Sequence, residues 1–503
     1  MAVSRRPETS ETRLRIEYRN VLDTAVGPQH GLSAGEIERA APAVAEIVQR
    51  IERERGEGQH RYRELPGDAA MLRTVQAAVR RYAGKFDNLV VLGIGGSALG
   101  NIALQTALNP PYYNLLAGAK QSFGLPDRAK RSFALRGDSA KQNFGLPGKR
   151  GGARRGPRLF VMDNVDPVQF GGLLDLLGPG LRRTLFNVVS KSGETAETAA
   201  QFLIVRDLLA RRLGRRGLVE HMVVTTDPEG GTMRQIVEAE GYDALPVPQG
   251  VGGRFSVLSA VGLFSAGMCG VRIERLLAGA AAMGARIGSP NVPENPAALL
   301  ALLLHAFYVR GKRLHVMMPY AYQLKDLADW WRQLWAESLG KQRDRAGQPV
   351  TIGPTPIKAL GATDQHSQVQ LYREGPNDKV FVFLEVEKFA RDVKIPRGRG
   401  LPEALAYLGG QSLAKLLNAE KRATEFALVA SRRPCLTVRF PAIDERTVGE
   451  FIMLWEAATS IAGGLFDIDP YDQPAVQLGK EYTYALMGKK GYEGRAAELG
   501  ASE

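Results

Sequence analysis

Asn88-Leu-Val-Val-Leu-Gly-Ile-Gly-Gly-Ser-Ala98 holds a complete strand–turn–helix step in eleven residues. The apolar run ending at Leu92 has the character of a strand covered on both faces, as in a parallel sheet. Gly93, Gly95 and Gly96 let the backbone turn sharply, and helical spacing resumes at Ala98. The step recurs along the chain. Arg158–Met162, Leu185–Val189 and His221–Thr225 read as further strands. The second of these is followed by Ser190-Lys-Ser-Gly-Glu-Thr195 and a helix through Ala210. Such alternation predicts a doubly wound parallel sheet.

A second series follows. Asn295-Pro296 opens a helix with a capping residue and a proline in the first turn. Arg313–Met318, Val380–Val386 and Cys435–Phe440 read as strands, and Leu324–Trp335 and Glu445–Ile461 as helices. The expected fold is α/β: two doubly wound parallel-sheet domains with flanking helices. The expected divisions are an N-terminal helical segment (1–80) packing on the second domain, a first domain (81–280), a second domain (281–488) and a tail (489–503). Residues 1–10 and 489–503 read as loose termini.

Length and composition agree with this picture. The 503 residues exceed one ordinary core, and 44% hydrophobic with 24% charged residues is globular composition. No apolar run reaches the roughly 18 residues of a membrane span. Ala297–Val309 comes nearest and is interrupted by His305. The start, MAVSRRPETSETR, lacks the apolar core of a signal peptide, so a cytoplasmic location is expected. Cys269 and Cys435 sit among apolar residues and read as buried reduced thiols.

A net charge of +13 raises the question of nucleic acid, but +8 of it lies between Ala117 and Gly156. That stretch repeats K-Q-[SN]-F-G-L-P at Lys120 and Lys141 and has no regular periodicity. It reads as a largely disordered surface insertion, and no specific nucleic-acid partner is expected.

Two turns carry a phosphate signal. Gly93–Ala98 joins a strand to a helix start, where backbone N–H groups favour anions. It also fits the dinucleotide pattern G-x-G-x-x-A, with Asp163 at the end of the next strand, although Asp163 lies 65 residues beyond Ala98 instead of about 20. A plain tight turn is the third reading. Ser190–Thr195 offers three hydroxyls at a helix start, where a cap needs one. Both turns leave the carboxyl ends of strands, where open α/β sheets bind ligands.

Taken in order, these and four further segments resemble the phosphoglucose isomerase family. The others are Gly252-Gly-Arg-Phe-Ser256, Glu337-Ser-Leu-Gly-Lys341, Asp364-Gln-His-Ser367 and Asp472-Gln-Pro-Ala-Val-Gln-Leu-Gly-Lys480. The resemblance spans residues 89–480 and implies two sugar isomerase (SIS) domains. Ala475 and Gln477 depart from the usual Gly and Glu of the last motif, and Glu194 and Ala196 vary the hydroxyl loop. The basic stretch has no counterpart in the family pattern.

What the resemblance implies is an aldose–ketose isomerase acting on glucose 6-phosphate and fructose 6-phosphate. Such a reaction needs a carboxylate to carry a proton between adjacent carbons. Glu337 is implied, with Gln333 on the same helix face four residues earlier. Arg254 is implied as the fixed cation that meets the enediolate charge. His366 and Lys480 are implied as the pair that opens the sugar ring. Phosphate contacts fall to Gly96, Ser97, Ser190, Ser192 and Thr195, with the Lys191 backbone and Gln333 helping, and Gln473 matches a substrate contact. The resemblance also implies a homodimer in which the neighbouring subunit supplies His366. No His/Cys grouping has metal-ligand spacing, so neither metal nor other cofactor is expected. From the residues alone, Glu337 could be a solvated helix residue, Arg254 could pair with a surface acid, and His366 could be structural. A mannose 6-phosphate-accepting isomerase, a nicotinamide-dependent dehydrogenase and a non-catalytic sugar-phosphate sensor are the competing readings.

Overall fold

The computed structural model describes residues 13–117, 156–398, 400 and 402–500. In chain order the strands are β1 (Arg15–Glu17), β2 (Asn88–Leu92), β3 (Arg158–Met162), β4 (Thr184–Val189), β5 (Met222–Thr226), β6 (Asp243–Pro246), β7 (Leu314–Pro319), β8 (Lys341–Arg343), β9 (Pro349–Ile352), β10 (Thr355–Lys358), β11 (Lys379–Lys388) and β12 (Cys435–Ala442). One sheet has the order β3-β2-β4-β5-β6 and is parallel throughout. The other has the order β1-β12-β11-β7-β10, parallel except for β1, which runs antiparallel to β12. β8 and β9 form a separate antiparallel pair.

Side-chain alternation along the strands divides the core into layers. Leu89 and Val91 face one way and join an apolar cluster that also contains Leu384 and Val438 of the second sheet. Val90 and Leu92 face the other way, into a cluster under the helices Pro167–Leu177 and Ala196–Glu220. Val316, Phe381 and Phe383 back the second sheet in the same manner. Between the sheets lie the helices Ile273–Ile287, Pro296–Val309, Lys325–Leu339 and Glu445–Leu465, whose apolar residues belong to the shared cluster. Burial explains the long apolar run at 297–309: it is a core helix capped by Asn295, whose side chain accepts from the Ala298 N–H at 3.0 Å. No described helix is long and apolar enough to cross a membrane.

The structure adds detail at several boundaries. Residue 280 falls inside the helix Ile273–Ile287, which presses against Glu445–Leu465. A Cβ on Gly279 would sit 2.0 Å from the Arg446 carbonyl oxygen, and one on Gly449 would sit 2.0 Å from that of Leu276. The N-terminal segment carries β1 as well as its helices and contacts both sheets' layers. Its β1 extends the second sheet, while Val79 of the helix Ala69–Tyr82 lies against Gly267 of Ala260–Met268. Residues 493–500, read as loose, form a helix. The helix after the hydroxyl-rich turn runs on to Glu220, with a break at Gly214 (φ 71°). Apart from Ala117 and Gly156, the basic stretch 117–156 lies outside the described residues. Those two flanks meet at Tyr113: the Ala117 N–H donates to the Tyr113 carbonyl at 2.8 Å, and a Cβ on Gly156 would lie 2.9 Å from the Tyr113 hydroxyl.

Candidate active site

The two phosphate-type turns leave adjacent parallel strands, β2 and β4. A Cβ on Gly93 would lie 3.3 Å from the Val189 carbonyl oxygen, so the turns start side by side. Gly95 adopts φ 57°, and a Cβ there would approach Gln333 Nε2 at 3.0 Å. At Gly96 a Cβ would overlap the Gly253 carbonyl carbon at 2.2 Å and the Arg254 nitrogen at 2.7 Å. Glycine is required for this nesting of backbone on backbone. The first turn thus meets both the Arg254 turn and the helix that carries Gln333 and Glu337.

Arg254 is 3% exposed. Its Nε donates to Ser338 Oγ at 2.7 Å and one terminal nitrogen donates to Gln473 Oε1 at 2.6 Å. The other terminal nitrogen donates to the Pro470 and Asp472 carbonyls at 2.7 and 3.0 Å. A Glu337 carboxylate oxygen lies 3.4 Å from the first terminal nitrogen. Burial lowers the arginine's pKa, and Glu337 opposes this most, followed by Asp472 and Asp469. A guanidinium stays charged regardless, so the site holds a permanent cation away from bulk water. Glu337 is half-buried, and its other oxygen accepts from Gln333 Nε2 at 3.0 Å, one helical turn away. Lys341 reaches back to the Glu337 carbonyl at 3.3 Å and pairs with the Asp472 carboxylate at 2.7 Å.

In the hydroxyl-rich turn, Ser190 is 4% exposed and its Oγ accepts from the Gly193 N–H at 3.1 Å. Ser192 Oγ accepts from the Glu194 N–H at 3.2 Å, and the Lys191 carbonyl accepts from Thr226 at 3.1 Å. Thr195 occupies the cap position of Ala196–Glu220 but makes no side-chain cap bond. Ser97 ends the short turn before Leu99–Leu108, and its carbonyl accepts from Asn101 at 2.9 Å. The Ser190 and Ser192 hydroxyls, which accept from backbone N–H groups, each keep a proton to donate to an anion.

Lys480 projects from the exposed helix Val476–Leu486 and lines a groove of about 290 Å³ together with Thr195. Tyr484 of the same helix donates to the Glu194 carbonyl at 3.0 Å, which ties this helix to the hydroxyl-rich turn. His366 belongs to a different element. It is exposed on the short helix Thr363–Ser367, after β10, whose fold is held by its neighbours. Asp364 accepts from the Leu360 N–H at 2.7 Å, and Gln365 accepts from Tyr320 and Thr424, both at 2.9 Å. Among the described residues, His366 makes no hydrogen bond or ion pair with Arg254, Glu337 or Lys480. The structure therefore brings together Gly96, Arg254, Gln333, Glu337 and Gln473 in one cluster, and Thr195 with Lys480 in a second. Among the described residues, no bond joins His366 to either.

Four contributors escape sequence reasoning. Ser338 and Lys341 stand inside Glu337–Lys341, but nothing in that segment gives them a role. The Pro470 and Asp472 carbonyls are backbone groups, which every residue owns, so composition gives no hint of them.

A family model described as phosphoglucose isomerase matches residues 149–500. A glucose-6-phosphate isomerase of Carboxydothermus hydrogenoformans is 45% identical over 425 residues, covering 84% of each chain. One from Rubrobacter xylanophilus is 40% identical over 95% of this chain and 98% of its own. Among solved structures, a hypothetical protein of Thermus thermophilus superposes with a TM-score of 0.79 at 34% identity, over 94% of this chain and 100% of that one. A glucose-6-phosphate isomerase from Chlamydia trachomatis shares the fold, with a TM-score of 0.74 at 22% identity over 98% and 93% of the two chains. The paired α/β sheets and the family match thus agree, and the chain belongs to the phosphoglucose isomerase family.

Proposed function

We infer that the chain is an aldose–ketose isomerase that interconverts D-glucose 6-phosphate and D-fructose 6-phosphate in glycolysis and gluconeogenesis, in the cytoplasm. The carrying observation is the approach of Glu337 to Arg254 at 3.4 Å in a largely buried cluster. A carboxylate there can lift a proton from one carbon and return it to the next. The fixed guanidinium faces the oxygen on which enediolate charge develops, and needs no reorganisation as it does so. The Gln333 amide holds the carboxylate's second oxygen and so sets its aim.

The substrate phosphate is assigned to Ser97, Ser190, Ser192 and Thr195, with the Gly96 and Lys191 backbone and Gln333. Binding energy from that non-reacting group orients the reacting end. Gln473, which accepts from Arg254, is assigned a contact to the same ligand. Lys480, beside Thr195, and His366 are assigned to ring opening. Because His366 is exposed and, among the described residues, makes no bond to the cluster, we assign it to the site of a second copy, which makes the working unit a homodimer. A sensor on this fold is expected to have lost Glu337, Arg254 or Lys480, and all three are present. The test is a coupled assay for glucose 6-phosphate formed from fructose 6-phosphate by the full chain. Turnover at ordinary enzymatic rates supports the reading, and none at saturating substrate overturns it.

A further inference from the structure

The segment Pro470–Gln473 supplies three of the acceptors that hold Arg254, so whatever fixes this segment fixes the guanidinium. Its position rests on Tyr471. The Tyr471 ring packs on Phe255, the residue after Arg254, with centroids 5.3 Å apart. Its hydroxyl lies 2.5 Å from His60 Nδ1 and 2.7 Å from Ser460 Oγ. Ser460 belongs to the buried helix Glu445–Leu465 and also meets the Tyr62 hydroxyl at 2.8 Å. His60 Nε2 lies 2.8 Å from the Glu54 carboxylate.

These bonds form one chain from the helix Ala34–Gly56 through His60 and Tyr471 to Ser460. One Tyr471 proton serves one neighbour and its lone pairs serve the other. His60 is 8% exposed and adopts φ 51°, a left-handed conformation that non-glycine residues rarely take. Burial lowers its pKa, against the pull of Glu54, and the ring links the tyrosine to the carboxylate. Pro470 adds a steric stop, since a Cβ on Gly463 would sit 2.7 Å from its ring.

We propose that His60 and Tyr471 are positioning residues for the isomerase reaction: they latch the Pro470–Gln473 segment and thereby hold Arg254 at the distance from Glu337 that the transition state requires. This rests on the role assigned to Arg254 above. Both act through the segment and not on the substrate. Their effect is to keep a buried cation from drifting, and a displacement of about 1 Å can cost on the order of 100-fold in rate.

The test is a double-mutant cycle on the full chain, with Tyr471→Phe, Arg254→Lys and their combination, read as kcat and KM for fructose 6-phosphate beside melting curves. Tyr471→Phe keeps the ring on Phe255 and removes the hydroxyl alone. The expected result is a loss of about 10-fold in kcat with KM nearly unchanged, and no further loss when the change is added to Arg254→Lys. His60→Asn, which can still meet the Tyr471 hydroxyl, should recover more of kcat than His60→Ala. Lower melting with unchanged kcat for Tyr471→Phe overturns the latch, as does a full, additive loss in the Arg254→Lys background. If Arg254→Lys itself keeps parental kcat, the assigned role of Arg254 fails instead, and the two failures are told apart by that single variant.

Discussion

Arg254 and His366 make opposite use of the fold. Arg254 sits 3% exposed between two sheets, and described residues take its N–H groups in bonds of 2.6 to 3.0 Å. His366 stands on a surface helix of five residues whose neighbours are carefully bonded while its own ring is exposed. One chain is sufficient to aim the first. The second is exposed, and among the described residues it makes no bond to Arg254, Glu337 or Lys480. The contrast separates a buried cation fixed by its own chain from an exposed ring, which the proposed function assigns to the site of a second copy.

The sharpest way to break this contrast is to disable the fixed half. Glu337→Gln keeps the bond to Gln333 within reach but removes the proton carrier. Turnover should fall by about 10²–10⁴-fold with the melting temperature little changed. Near-parental turnover in the coupled assay would remove Glu337 from the chemistry. His366→Gln should cost less, about 10-fold to 100-fold, because sugar rings also open unaided. Coexpressing the Glu337→Gln and His366→Gln chains then decides where His366 acts. In a shared-site dimer the mixed species carries one intact site, and activity should return to about a quarter of the parent's. Activity no higher than the average of the two variants would place both residues in one chain's site.

A further measurement sharpens what partners do for a buried charge. Glu456 is fully buried in Glu445–Leu465, and neither carboxylate oxygen has a hydrogen-bond partner among the described residues. Burial raises its pKa well above the ordinary value. The folded state therefore holds this proton more tightly than the unfolded state, so its contribution is fully present below the ordinary carboxylate pKa and is lost as pH rises through the raised value. Glu456→Gln should raise the urea midpoint at pH 8, and the gain should shrink as pH approaches 4.5. A gain independent of pH would mean that packing, not charge, is responsible. The smallest effect is expected for the basic stretch. Its flanks already meet at Tyr113, so replacing residues 118–155 with a short Gly/Ser linker should leave kcat within about twofold of the parent. A loss above about tenfold with unchanged melting would show that the stretch reaches the active site.

Central strands are legible in the sequence because burial on both faces writes a continuous apolar run: every residue of β2 and β4 is buried. β6 and β10 escape it for the complementary reason. Each lies at a sheet edge, spans four residues and contains proline, and its pairing is set by the neighbouring strand more than by its own composition. The pairing of Gln333 with Glu337 follows from helical spacing, and a 3.0 Å bond joins them. Arg254's nearest partners do not follow, because two are carbonyls and the segment bearing them lies more than 200 residues away. His366 is legible through its motif alone, since an exposed histidine leaves no trace in periodicity.

The Arg254 guanidinium has five hydrogens to give, and described side chains and carbonyls accept four of them. The remaining hydrogen belongs to the terminal nitrogen that stands 3.4 Å from a Glu337 oxygen, an ion-pair contact with no hydrogen bond. On the proposed chemistry, a sugar oxygen therefore finds a single point of grip rather than a two-pronged clamp. Arg254 can sense where charge gathers on one atom, and it leaves the recognition of the rest of the sugar to other residues.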